Sequence, residues 1–519
     1  MQDVNWTALI IFVLLFAFIT WLGFAAARWR KGDLDLLHEW GLGGRRFGTV
    51  ITWFLIGGDL YTAYTFLAVP ALAFGAGAIA FFAVPYTIMV YPILFLVFPR
   101  LWQVCHKHNY ITPADFVRGR FGNRWLALAV TITGIVATMP YIALQLVGLQ
   151  VVIAGMGVSG TGYVGDLPLV IAFVILAAFT YSSGLRAPAS IAVVKDILIY
   201  ITAFTAIIVV PLQIGGFSNI FAAVPPAKIL LATPPAHSTG AYGYYATLAL
   251  GSALALFLYP HSITGILAAS SGHAIRRNAA LLPGYSLMLG LLALVGFFAI
   301  AAGVASRPEF ALGFKQFGSN FAVPALFLHS FPSWFVGIAF AAIGIGALVP
   351  AAIMSIAAAN LYTRNIHREF INANPTDKQE AQMAKWVSLV VKFGALIFIV
   401  FVPTQFAIYL QLLGGILIIQ TLPSVMLGVF TRWFNDWALL FGWAVGMATG
   451  TAMFVAVNTP NFPLVIAGFT LPGYAAIYSV ILNLLVAVVL TPIFSALRGG
   501  KAPVDATVAA DYVRYRAIS

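Results

Sequence analysis

Charged side chains are scarce in this sequence. They make up only 8% of its 519 residues, whereas about a quarter of the residues in an average soluble protein are charged. Apolar residues account for 61% of the chain, and the mean hydropathy is +0.97. This composition excludes a soluble globular protein and predicts a polytopic membrane protein.

Cysteine is almost absent as well. The single residue, Cys105, cannot form a disulfide within the chain, and no Cys-x-x-Cys or Cys/His spacing suggests a structural metal. The sequence also contains no phosphate-binding loop, no Gly-x-Ser-x-Gly turn and no His-Glu-x-x-His motif. We therefore expect no cofactor and no metal centre, and a protein that is not an enzyme.

Basic residues outnumber acidic ones, and the formal net charge is +12. A nucleic-acid surface is excluded, because long apolar runs divide the basic residues among short loops that alternate between rich and poor in Lys and Arg. On one side, only Lys228, Arg307 and Lys315 occur. The positive-inside rule then places the N-terminus outside the cytoplasm and the C-terminus within it.

Thirteen apolar segments are predicted to cross the membrane as helices, an odd number that agrees with termini on opposite sides. The first segment lacks the flanks of a signal peptide and is interpreted as a retained helix. The predicted spans are 6–27, 48–75, 79–101, 125–156, 167–184, 191–215, 243–271, 281–303, 332–363, 386–403, 405–430, 437–457 and 472–495.

The second segment carries an aspartate where a carboxylate is costly. If its helix begins near Phe47, Asp59 lies roughly 18 Å along the axis, near the middle of a hydrocarbon core ~30 Å thick. A carboxylate at this depth must be protonated, paired or exposed to a water-filled cavity. We predict that Asp59 binds a proton or a cation, and the alternative is a structural hydrogen bond to a neighbouring helix.

Other ionisable groups lie within or beside the segments. Lys195 and Asp196 are predicted to form a solvated pair near the cytoplasmic interface. Lys392 lies about two turns into its span, so its long side chain is expected to reach the interface. His261 follows Pro260, which opens the helix, and both a structural role and a binding role remain open for this histidine.

The second and seventh segments both contain helix breakers at mid-membrane, and they stand five segments apart. Interrupted helices at corresponding positions are typical of transporters built from inverted repeats. We therefore predict an all-α membrane domain over 1–497 with 13 transmembrane helices and a 5+5 core. Its repeats would be 48–215 and 243–430, with spans 1, 12 and 13 peripheral and a mobile cytoplasmic tail over 498–519.

Aromatic and amide side chains in the segments around the breaks are candidates for a substrate site. Each alone more often binds neighbouring helices together, but as a group they suggest a cavity for a small polar substrate. The candidates are Tyr61, Tyr64, Thr65, Tyr141, Gln145, Tyr259, His261 and Gln420.

Several short motifs follow one another at matching spans. They are Leu42-Gly43-Gly44-Arg45-Arg46, Ile111-Thr112-Pro113 through Arg120-Phe121-Gly122, Pro260-His261, Asn360-Leu361-Tyr362-Thr363-Arg364, and Pro423 with Leu427, Gly428 and Phe430. With these motifs the chain resembles the sodium:solute symporter family over essentially its full length. The run 348–360 is most similar to bacterial monocarboxylate permeases. The resemblance implies a leucine-transporter-like core and uptake of a small organic anion such as lactate or pyruvate.

One departure from the family pattern bears on the coupling ion. Sodium-using members carry two adjacent hydroxyl residues in span nine, where this chain has Gly344 and Ile345. The second span still offers backbone carbonyls near Gly57 and Leu60, with Asp59 beside them. Because hard cations prefer several oxygen ligands, the missing hydroxyls favour protons as the coupling ion, carried by Asp59.

Other functions remain open at this stage. The main alternative is a sodium-coupled symporter of a monocarboxylate or an amino acid, and a nutrient-sensing transceptor is a further one. A channel is disfavoured because no filter loops or charge rings are visible. The positive partner of the substrate could be a half-helix N-terminus, His261 or Lys392. The expected partners are the substrate and lipid, without nucleic acid, and both monomer and homodimer remain open.

Overall fold

The computed structural model describes residues 4–28, 32–158, 167–401, 407–497 and 504–512, without the side chains of residues 27, 59, 60, 169 and 396–401. This part of the chain is almost entirely helical, because a backbone in lipid must satisfy its own hydrogen bonds. The α-helices are α1 (Trp6–Ala25), α2 (Leu37–Leu42), α3 (Thr49–Leu60), α4 (Val69–Ala76), α5 (Ala83–Lys107), α6 (Pro113–Phe121), α7 (Arg124–Gly155), α8 (Leu167–Ser183), α9 (Arg186–Ile214), α10 (Phe217–Ala223), α11 (Pro226–Ile229), α12 (Gly240–Leu256), α13 (Pro260–Leu267), α14 (Gly272–Ala301), α15 (Ala311–Phe317), α16 (Ala322–Ser330), α17 (Ser333–Tyr362), α18 (Asp377–Phe401), α19 (Ile408–Ile418), α20 (Leu422–Val425), α21 (Asp436–Val457) and α22 (Ala475–Leu497).

Nine helices of the described chain are long and apolar enough to cross a membrane, or ten if one bent pair is a single span. Every predicted segment contains helix. That thirteen helices cross the membrane stays a prediction. Some boundaries differ: α9 begins at Arg186 and α14 at Gly272, before the predicted 191 and 281. An antiparallel hairpin of β1 (Asn461–Ile466) and β2 (Phe469–Tyr474) between α21 and α22 was not predicted.

Two helix interruptions lie inside the bundle. α12 and α13 are bent by 48° where Pro260 begins the second helix, because proline has no N–H to continue the first one. α3 ends at Leu60, and Tyr61 leaves the helical region with φ −97° and ψ 89°. Helix resumes as a π-helical stretch, Tyr64–Ala68, that runs into α4.

α17 forms the centre of the bundle. The apolar stretch of this helix is 94% buried inside the protein, whereas those of α21 and α22 are each only 22% buried. α17 packs against α1, α7, α9 and α18. Glycines permit the close approach of α1, since a Cβ on Gly337 would lie 2.7 Å from the Ala8 carbonyl oxygen. α21 and α22, which pack against each other, lie at the periphery.

The described part of the tail, 504–512, is bound to the end of α5. Lys107 and His108 both donate to Asp511, with His108 Nε2 lying 2.8 Å from Asp511 Oδ2. Burial alone would raise the pKa of Asp511, but these hydrogen bonds outweigh it and lower the pKa to about 2. The predicted mobility of the tail is therefore wrong for these residues. Cys105, two residues before Lys107 in α5, is buried.

Candidate functional site at the broken helices

The broken end of α3 faces a buried ion pair contributed by α9. The side chains of Lys195 and Asp196 are both 0% exposed, and Lys195 Nζ lies 3.0 Å from Asp196 Oδ1. The prediction that this pair is solvated at the interface is therefore wrong. The reason is that α9 begins at Arg186, so Lys195 lies roughly 13 Å along the helix, where α9 packs against α3, α14 and α17.

The head group of Lys195 caps the last carbonyls of α3. Its Nζ donates to the Gly58 carbonyl oxygen and to the Tyr61 carbonyl oxygen, at 2.9 Å from the latter. Carbonyls at a helix C-terminus have no partner within the helix and carry the negative end of its dipole. The ammonium therefore satisfies both the hydrogen bonds and the charge of this helix end.

The glycine pair of α3 makes this approach possible. A Cβ on Gly58 would lie 2.9 Å from Lys195 Nζ and 3.4 Å from each Asp196 carboxylate oxygen. A Cβ on Gly57 would lie 2.9 Å from a methyl carbon of Leu282 in α14. Any other residue at position 58 would push against the ion pair, which explains why this position is a glycine.

Asp59 and Leu60 form the last residues of α3. Their side chains lie outside the described part of the structure, so the proton- or cation-binding role of Asp59 stays a prediction. Next to them, the Tyr61 hydroxyl donates to the Tyr285 carbonyl oxygen of α14. The Tyr61 and Tyr285 rings are 3.8 Å apart between centroids, and Tyr200 of α9 lies 5.2 Å from Tyr285.

Gln145 of α7 binds the segment that follows the break. Its Oε1 accepts a hydrogen bond from the Ala63 backbone N–H at 3.3 Å, and its Nε2 lies 3.4 Å from Thr62 Oγ1. Tyr64 and Thr65, the next residues, are buried. Gln145, a fourth-span candidate, therefore holds the interrupted backbone directly before the second-span candidates Tyr64 and Thr65.

A second group of candidates meets at the other interruption. The Tyr141 ring of α7 lies 5.4 Å from both the Tyr259 ring and the His261 ring, and the latter two are 5.2 Å apart. All three side chains are buried. This aromatic cluster, formed by Tyr141, Tyr259 and His261, surrounds the start of α13, where the positive end of a helix dipole lies.

The Tyr259 hydroxyl donates to the Gln411 carbonyl oxygen of α19 at 2.9 Å, and it reaches this position over Gly414. A Cβ on Gly414 would lie 2.5 Å from the Tyr259 hydroxyl oxygen and 2.6 Å from the Ala137 carbonyl oxygen. We expect Gly414→Ala to destabilise the protein by about 1–3 kcal/mol through overpacking, measured as a lower unfolding temperature in detergent.

Gly284→Ala is the matched control for this substitution. A Cβ at Gly284 in α14 would meet nothing within 4 Å, so this change should be neutral or slightly stabilising by helix propensity. Equal unfolding temperatures for Gly414→Ala and Gly284→Ala would contradict the tight contact at Tyr259.

With this geometry in place, comparison with known proteins identifies the family. The family model described as "SSF: Sodium:solute symporter family" matches residues 40–446. The chain belongs to the sodium:solute symporter family. It is 50% identical, over 97% of its length and 99% of the relative, to a protein named monocarboxylate transport permease from Rhizobium johnstonii. It is 33% identical, over 94% of each chain, to the uncharacterized symporter YodF of Bacillus subtilis.

A solved structure shares the fold of this symporter. It is the substrate-bound outward-open state of a Na⁺-coupled sialic acid symporter, matched with a TM-score of 0.75 and 13% identity over 94% of this chain and 98% of that one. At this identity the match shows the fold alone. Family membership makes the chain a multi-pass membrane transporter, rather than an enzyme, that couples the transport of a solute to the movement of an ion.

In the symporter, Gln420 packs against α22, and Gly344 of the ninth span packs against α1 and α7. Gln420 Nε2 donates to Ser479 Oγ at 2.8 Å, and its Oε1 accepts from Asn483 Nδ2 at 3.1 Å, both in α22. These bonds favour the helix-packing alternative for Gln420. A Cβ on Gly344 of α17 would lie 3.1 Å from side-chain atoms of Leu149 and Phe12.

Lys392 of the symporter is buried rather than interfacial. Its side chain lies in α18, the residue is 1% exposed, and its Nζ donates to the Ser388 carbonyl oxygen of the same helix at 3.3 Å. The prediction that Lys392 reaches the interface is therefore wrong, because neighbouring helices enclose this turn of α18.

Sequence reasoning missed Lys195 as part of the site. One signal was available: the pair Lys195-Asp196 lies between the apolar runs 191–194 and 197–199. A charged pair with apolar residues on both sides is unusual for a solvated loop, and an earlier start for this helix would have placed it inside the membrane domain.

Proposed function

We propose that this symporter takes up a small monocarboxylate, such as lactate or pyruvate, by alternating access and couples the uptake to protons. The observation that carries the substrate class is the 50% identity, over nearly the whole chain, to a relative named as a monocarboxylate transport permease. The acid taken up would be a short anion with one carboxylate.

In this proposal the interruptions in α3 and between α12 and α13 are the broken helices of two inverted repeats, 48–215 and 243–430. The membrane domain has thirteen spans in a bacterial inner membrane, with the N-terminus outside and the C-terminus in the cytoplasm. The steep difference in loop basicity supports this orientation. Rocking of one repeat against the other would expose the central site to each side in turn.

The substrate is proposed to bind between the two interruptions. The aromatic cluster supplies hydroxyl and imidazole groups, and the start of α13 directs its positive dipole end to the same place. A half-helix N-terminus is a suitable partner for a carboxylate at membrane depth. Tyr64, Thr65 and Gln145, beside the other interruption, would complete the polar wall.

Proton coupling is proposed on two grounds. Gly344 and Ile345 offer no side-chain oxygen for a sodium ion, and the carbonyls of Gly58 and Tyr61 already bind an ammonium. Asp59 is the proposed proton-binding carboxylate, since a carboxylate in a low-dielectric core binds a proton readily. Its protonation would remove the repulsion between two carboxylates when the substrate anion enters.

Uptake by the purified symporter in proteoliposomes tests this function. Exchange of labelled lactate or pyruvate against internal unlabelled acid needs no gradient and tests the substrate alone. Accumulation under an inward proton gradient without sodium, compared with a sodium gradient at equal pH, then tests the coupling ion. We expect exchange and proton-driven accumulation. Absence of exchange for every short monocarboxylate would contradict the substrate class, and a strict sodium requirement would establish the sodium-coupled alternative.

A further inference from the structure

The ammonium of Lys195 has the surroundings of a bound cation. Three oxygens face it: the carbonyl oxygen of Gly58, that of Tyr61 at 2.9 Å and Oδ1 of Asp196 at 3.0 Å. Each of these oxygens belongs to an acceptor, and an ammonium has three N–H donors and no lone pair. A neutral amine would direct its lone pair at one of the oxygens, so the contacts match the charged form.

The charges around the ammonium also balance without solvent. Both side chains of the pair are 0% exposed, and Lys195 Nζ lies 3.0 Å from Asp196 Oδ1. The positive charge of Lys195 is therefore what compensates this carboxylate. The negative dipole end of α3 adds to the attraction for a cation at this point. Removing the cation would leave a buried carboxylate and two helix-end carbonyls without a positive charge beside them.

We propose that Lys195 is a tethered cation that fills a binding site for a small monovalent cation, formed by the carbonyls of Gly58 and Tyr61 and the carboxylate of Asp196. The inference rests on the proposed function and deepens it, because the unwound backbone of a broken helix typically coordinates the coupling ion in such transporters, and here Lys195 occupies that place. Sodium then has no place at this end of α3. The coupling proton must be carried by another group.

Removing the lysine side chain should turn this place into an open cation site. The purified Lys195→Ala variant would be unfolded by heat in sodium chloride, ammonium chloride and choline chloride at equal ionic strength and pH. Sodium or ammonium should raise its unfolding temperature saturably, by roughly 2 °C or more over choline, because binding to the folded state alone stabilises it. Choline is too large to enter.

Lys392→Ala is the matched control. It also removes one buried lysine, but that head group contacts a carbonyl of its own helix and forms no ion pair with the carboxylates whose side chains the structure describes. For this variant, and separately for the wild type, the unfolding temperature should not differ among the three salts. An equal response of Lys195→Ala to sodium, ammonium and choline would overturn the proposal, because the three oxygens would then not form a cation site.

The wild type gives a measurement that does not depend on the folding of a variant. Its unfolding temperature and its lactate exchange should be the same in sodium and in choline, since the ammonium already fills the site. A sodium-specific rise in either quantity would overturn the proposal whatever Lys195→Ala does. Because unfolding needs no transport, a failure of lactate exchange in both salts would contradict only the proposed substrate, and the salt response would still decide this inference.

Discussion

Replacing Asp196 with asparagine is expected to destabilise the symporter by about 3–5 kcal/mol, because the charge of Lys195 would remain buried without its counterion. Both side chains are fully buried, so neither water nor salt can screen the loss. An amide at the same position keeps the shape and removes the charge. The unfolding temperature in detergent should fall by on the order of 5 °C or more. It is measured as the temperature at which the monodisperse peak is lost in size-exclusion chromatography of heated samples.

The double variant Lys195→Met/Asp196→Leu provides the control for this effect. Replacing both partners of a buried pair with apolar residues of similar volume is often neutral or stabilising. The double variant should therefore recover much of the stability that the single substitution loses, giving a large coupling energy in a double-mutant cycle. If Asp196→Asn unfolded at the wild-type temperature, the buried ion pair would not contribute to the stability of the core.

Replacing Asp59 with asparagine is expected to abolish gradient-driven accumulation of substrate, reducing it at least tenfold. Asparagine cannot take up and release a proton, so the imposed gradient would have no route into the cycle. Exchange of internal for external lactate does not need net proton movement and should continue. The measurement compares proton-driven accumulation with exchange in the same proteoliposomes, so a general loss of folding would be visible as loss of both.

Asp377→Asn, at an exposed position in the first turn of α18, is the control carboxylate. It removes the same charge from the surface and should leave accumulation unchanged. Full proton-driven accumulation by Asp59→Asn would rule out Asp59 as the proton carrier. Loss of exchange together with accumulation would instead indicate that the carboxylate is needed for substrate binding or for the structure of the break.

The helical architecture could be read from the sequence because each segment carries its own signal. A long apolar run in lipid has to form a helix, and Pro260 interrupts one for the local reason that it lacks an N–H. The aromatic cluster was also foreseeable in its membership, since Tyr141, Tyr259 and His261 are polar groups inside apolar runs. These are features of short stretches of chain, and they do not depend on which helix lies beside which.

The ion pair at α3 could not be predicted in the same way. Whether Lys195 is solvated depends on where α9 begins and on which helix ends opposite it, and both are properties of the packed bundle. The role of Gly58 follows only from the nearness of Lys195 Nζ. The hairpin between α21 and α22 was missed because most of its residues, 461–471, fall in the loop left between the predicted spans 437–457 and 472–495. The bound tail depends on long-range partners, Lys107 and His108, that no local pattern indicates.

The burial of Cys105 has a practical consequence for following the transport cycle. The chain has no other thiol, and this one is enclosed in α5, so the natural sequence already serves as a background for site-specific spin or dye labels. Cysteines introduced at Tyr242 of α12 and Trp437 of α21, both exposed, would report the distance between a helix of the core and a peripheral helix. Changes in that distance on adding lactate would show directly whether the two move as separate bodies.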